Sequence, residues 1–194
     1  MLQFLGLAAG LLSLAAVIPY ARDILRGSAR PERASWFIWL VLAVISFTSQ
    51  RAEGATNSLW LTALDTVGVA IVFGLSLKYG EGGLTRRDTF ALMAAGIGLV
   101  LWYSTRHAAF ALFITLAIDA VGTSLTVAKT YADPQSETYS MWAMVAVAGI
   151  LAMLAVGKLD PVLLAYPFYI FLANAAVVVA IAAGTLRLKS VHKD

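Results

Sequence analysis

Residues 59–73 read LWLTALDTVGVAIVF, a stretch that belongs in hydrocarbon except for one carboxylate, Asp65, at its centre. The apolar run continues on both sides to about 57–78. A bilayer core of ~30 Å takes ~20 apolar residues of helix, so this segment is long enough to span. The rest of the chain has the same character. Of its 194 residues, 60% are hydrophobic and 13% charged, with a mean hydropathy of +0.82. A soluble domain averages ~45–50% apolar and ~25% charged residues. The excess is too large for one globular core, and the class expected is an all-α integral membrane protein.

Seven stretches of spanning character lie near 2–20, 35–50, 57–78, 89–104, 108–128, 139–156 and 162–187. Breakers and polar residues separate them: RGSARPERAS, RAEGATN, KYGEGGLTRRD, STRH, YADPQSET and GKLDP. The first stretch begins MLQF, without a basic leader, and its positive charge follows rather than precedes it. It is therefore expected to stay as the first span rather than to be cleaved. Basic residues then set the orientation. Arg22, Arg26, Arg30, Arg33, Lys78, Arg86, Arg87, Lys129, Arg187, Lys189 and Lys193 fall on one side, and only Arg51, Arg106 and Lys158 on the other. These eleven and three account for all 14 Lys and Arg residues. By the positive-inside rule the N-terminus is expected outside and the C-terminus in the cytoplasm, in a bacterial inner (plasma) membrane.

The chain also echoes itself. ILRGSARPERASW after the first span matches VAKTYADPQSETYSMW after the fifth, with Arg26 on Lys129, Ala29 on Ala132, Pro31 on Pro134 and Ser35 on Ser140. The third and seventh spans end in SLK and TLR, and sliding those ends together sets Asp65 opposite Asn174. The plan this suggests is a three-helix unit over 1–80, a linker helix over 84–105, a second unit over 107–187 and a tail over 188–194. A single linking span gives both units the same orientation, so the repeats are parallel.

With this topology, repeat plan and proline near the end of the first span (Pro19, before YARDILRG), the chain resembles the PQ-loop superfamily, which includes the SWEET sugar transporters. Tyr20 stands where the eponymous glutamine would sit, and Gly122 where the second unit would carry its proline. Pro134–Gln135 lies in a loop. The resemblance implies a central pocket lined by polar residues on the third helix of each unit. Asn174 would be the pocket amide of the second unit, and Asp65 its carboxylate counterpart in the first.

Ionisable side chains inside a bilayer cost at least ~2.5–3.5 kcal/mol and by default mark function. Asp65 and Asp119 both lie mid-span, which makes them, with Asn174, the candidates for binding solute or protons. Holding neighbouring helices together is the competing role for each. Trp39 and Trp142 sit deeper than the interfacial tryptophans and are candidate pocket walls. In the seventh span Tyr166, Pro167 and Tyr169 break regularity, and Tyr169 joins the pocket aromatics. Pro19, Gly122 and Pro167 are candidate hinges. Small-residue faces at 6–10 (GLAAG) and 94–98 (AAGIG) suit close helix packing and leave a homodimer open.

Other chemistry is missing. There is no cysteine, phosphate-binding glycine loop, GxSxG or HExxH, and His107 and His192 lie near span ends, so neither a metal nor a cofactor is expected. The seventh span has no lysine for a retinal Schiff base. A net charge of +3 does not suggest nucleic acid; the expected partners are lipid and a small-molecule substrate. The sequence thus points to a membrane transporter of a small polar solute, working by alternating access with protons on the intramembrane carboxylates. A ligand-binding receptor of the same fold is the alternative, as the similar-looking ER retrieval receptors illustrate. An intramembrane enzyme using the two acids as an acid–base pair is less favoured.

Overall fold

The computed structural model describes residues 1–191 apart from 30, 32, 81, 83–85, 87–88, 91–92, 94–95, 98–99, 101–103 and 105–106. Six α-helices lie among the described residues: α1 Leu2–Leu25, α2 Arg33–Ala52, α3 Leu59–Tyr79, α4 Ala108–Ala132, α5 Tyr139–Val156 and α6 Pro161–Val191. A 3-10 turn, Pro134–Ser136, joins α4 to α5. Five of the helices, all but α2, are long and apolar enough to cross a membrane. Ser46, Thr48, Ser49 and Gln50 lower the apolarity of α2. The fourth span expected at 89–104, within the linker 84–105, lies largely outside the described residues, as does most of the AAGIG face. Its described members, among them Thr89, Phe90, Met93, Ile97 and Val100, are helical.

Local chemistry sets the helix ends. Pro161 opens α6, where its missing N–H costs nothing, and Asp160 Oδ1 accepts from the amides of Val162 and Leu163 at 3.1 Å each. Gly157 ends α5 in the left-handed region, φ +72°, which suits glycine. Glu53 accepts from the Ala109 amide at 2.9 Å, placing negative charge at the start of α4. Arg33 donates to the carbonyls of Ser76 (3.0 Å) and Gly80 (2.6 Å), so the start of α2 is tied to the end of α3. Arg187 reaches the Ala132 carbonyl at 3.4 Å and lies over the Tyr131 ring. Pro19 and Pro167 are both inside helices that continue through them, so α1 runs five residues beyond the expected end of its span.

The six helices close into a ring in the order α1, α3, α2, α4, α6, α5 and back to α1. Small residues bring backbones together at the seams. A Cβ at Gly10 would lie 2.9 Å from the Trp60 carbonyl carbon, and one at Gly6 would meet Asn57. The GLAAG face is thus occupied within the chain, against the start of α3. Beside these glycines, Ala9 joins Ala148 and Ala152 of α5 in a core with Leu61, Leu112 and Tyr166. A second core gathers Val17, Tyr20, Ile24, Trp36 and Val72 toward the end where α2 begins. Outward, Phe4, Ile18, Val67, Leu77, Phe110, Val121, Leu154 and Val179 are exposed, an apolar surface of the kind an integral membrane protein turns to lipid.

Candidate functional site

Inside the ring is a cavity of about 120 Å³ bounded by α2 to α6. The space is enough for several waters or one small solute. Its polar lining comes from Asp65 on α3, Asp119, Thr115 and Thr123 on α4, Ser46 on α2, and Tyr166, Tyr169 and Asn174 on α6. Helical spacing accounts for these groupings. Thr115, Asp119 and Thr123 recur every four residues on one face of α4, and Tyr166, Tyr169, Ala173 and Asn174 share one face of α6.

Each carboxylate is held by two hydroxyls. Ser13 donates to Asp65 Oδ1 at 2.6 Å and Tyr166 to Oδ2 at 3.1 Å, so α1 and α6 meet on a side chain of α3. Tyr169 makes a short hydrogen bond to Asp119 Oδ2, to which Thr123, one turn on, also donates at 3.4 Å. Trp39 adds a polar contact to Asp119, and its indole nitrogen lies beside Gly122. Such donors offset part of the cost of placing a carboxylate at this depth. Asn174 is 7% exposed and donates to the Ile170 carbonyl at 2.7 Å, within its own helix.

Aromatic walls complete the cavity. Trp36, Trp39 and Trp142 line it, with Trp36 and Trp39 edge to face at 5.0 Å and 89°. Trp142 directs its indole N–H to Glu137 at 3.4 Å, so its ring carbons are what it brings to the cavity. Among the described residues, no Lys, Arg or His lines the space.

The cavity is not centred along the bundle. Trp36, Met141 and Trp142 come from the first turns of α2 and α5 and mark one end. Beyond Ser46 and Thr115, which bond each other at 3.2 Å, the opposite end is packed with fully buried Ser49, Gln50, Leu61, Thr62 and Leu112. Three polar atoms in that plug, Ser49 Oγ, Gln50 Oε1 and Thr62 Oγ1, have no hydrogen-bond partner among the described residues. Gln50 also has a long 3.5 Å contact to the Val162 carbonyl.

Of the sequence candidates, Asp65, Asp119, Asn174, Trp39, Trp142 and Tyr169 all face this one cavity. Pro19, Gly122 and Pro167 are not part of its lining. Pro167 is fully buried, with its carbonyl against Gly149 of α5. Sequence reading missed Ser13, Thr123, Ser46, Thr115 and Trp36, and took Tyr166 only as an irregularity. Ser13 carried a signal as the only serine or threonine of the first span. Among the described residues, no three His, Asp or Glu side chains converge on a metal position. No family model, curated protein or solved structure matches the chain.

Proposed function

We propose that the chain is a membrane transporter of a small polar solute, working by alternating access, with Asp65 and Asp119 able to carry protons. The observation that carries this reading is the single cavity that joins two intramembrane carboxylates, a buried amide and three tryptophans, beside a plug of buried polar groups. A purely structural aspartate needs partners but no cavity. A buried hydroxyl or amide without a partner costs ~1–3 kcal/mol, which a static seal would avoid by using apolar residues. The same groups suit a path that is wet in a second conformation.

The neighbour relations support a duplicated plan. Exchanging α1, α2 and α3 with α4, α5 and α6 turns each contact of the ring into another of its contacts. The third helix of each set lies between the other two, and the sets meet at two equivalent seams, α1 with α5 and α2 with α4. Two three-helix sets are what the PQ-loop resemblance implies, and we read them as joined by a linking span over 84–105 and rocking against each other. With the N-terminus outside, the cavity faces the cytoplasm and the plug is the outer gate.

Purified protein in proteoliposomes tests the reading. A screen of small polar solutes should find one that accumulates or exchanges, and Asp65→Asn with Asp119→Asn should abolish its movement. Transport that survives the double substitution removes the role assigned to the acids. Binding without exchange would favour the receptor.

A further inference from the structure

Resting on that transport reading, we infer that the solute recognised in the cavity is a small organic ammonium ion. Among the described residues the cavity is lined by two carboxylates and no cationic side chain, so the charge these residues fix there is zero or negative. In a low-dielectric surrounding an unbalanced carboxylate is strongly disfavoured, and a cationic solute supplies the missing balance. A sugar or other neutral solute supplies none.

The walls suit the same class independently. Trp36, Trp39 and Trp142 present indoles to the space, and Trp142 keeps its N–H on Glu137 outside it. The faces of indole rings attract alkylammonium groups, most strongly when water is excluded. Asn174 adds a third feature. It is more than nine-tenths buried and lines the cavity, its amide nitrogen is used by the Ile170 carbonyl, and its Oδ1 has no donor among the described residues. That carbonyl is an acceptor for an N–H or O–H of the ligand. The volume of about 120 Å³ suits a small ion.

A matched pair of probes reads the charge alone. Choline and 3,3-dimethylbutan-1-ol have the same shape, and only choline is charged. Titrated into the wild-type protein and followed by tryptophan fluorescence and calorimetry, choline should bind at least about tenfold tighter than the alcohol. Asp65→Asn with Asp119→Asn should erase the preference, and Trp142→Leu should weaken choline alone. Equal affinity for both probes, or no binding of choline, overturns the inference, whatever the variants do. If neutral solutes are then still taken up, the transport reading stands without it. Selective choline binding with no exchange across the membrane would support the ammonium site and refute the transporter.

Discussion

Two glycine substitutions with opposite expected signs probe how closely the cavity wall is held. Gly149 of α5 faces α6, where an added Cβ would lie 2.7 Å from the Phe171 nitrogen, 3.0 Å from Phe171 Cα and 3.0 Å from the Pro167 carbonyl oxygen. All three are backbone atoms, so no side chain can rotate aside, and Gly149→Ala must push the helices apart. Overpacking of this kind costs ~1–3 kcal/mol. Replacing glycine by alanine inside a helix returns up to ~1 kcal/mol. The net expectation is a loss of up to ~2 kcal/mol. Gly74 of α3 has open space where its Cβ would be, so Gly74→Ala should gain ~0.5–1 kcal/mol. The two variants should therefore differ by roughly 1–3 kcal/mol in reversible unfolding from mixed micelles. Because α6 carries Tyr166, Tyr169 and Asn174, Gly149→Ala should also weaken ligand binding, whereas Gly74→Ala should not. Equal stabilisation by both substitutions would refute the backbone contact between α5 and α6 and the wall position derived from it.

Three further outcomes follow from the same geometry. Tyr169→Phe removes the shorter of the two hydroxyl bonds to Asp119, so it should reduce ligand affinity by roughly tenfold or more, and Thr123→Val by less, in equilibrium binding. Gln50→Leu removes an unpartnered acceptor from the plug and should raise stability by about 1 kcal/mol while slowing transport; faster transport would contradict the gate assignment. Amides at the start of α6 and Lys158 hold the Asp160 carboxyl below the usual range. A group with a depressed folded pKa stabilises the fold above its unfolded value, and that contribution is lost as pH falls through the folded value. The stability difference between wild type and Asp160→Ala should thus be constant above about pH 5 and shrink below about pH 4, as pH-dependent unfolding will measure.

Much of this was legible in the sequence because lipid simplifies the physics. Apolar length with polar interruptions located six helices, although α1, α4 and α6 run past the expected spans, since a helix need not end where the hydrocarbon does. Asp65, Asp119 and Asn174 stood out because polar groups are rare in such segments. Their convergence could not be read from any one helix, because it depends on which helices are neighbours. Ser13 and Tyr166 escaped for the same reason: each is an ordinary residue until α1 and α6 bring it against Asp65. The GLAAG face announced close packing without naming its partner, and within the chain Gly6 and Gly10 pack against the start of α3.

Thiol accessibility tests the central claim of alternating access most directly, because the native chain has no cysteine to remove. Ala173→Cys lines the cavity, and Ser49→Cys lies fully buried in the plug. In oriented vesicles, an impermeant thiol reagent should label Ala173→Cys from the cytoplasmic side. It should label Ser49→Cys from the outer side, at a rate that a transported solute changes. A Ser49→Cys protein that stays unlabelled from the outside, while Ala173→Cys reacts from one side only whatever the solute, would mark a fixed pocket and contradict the account.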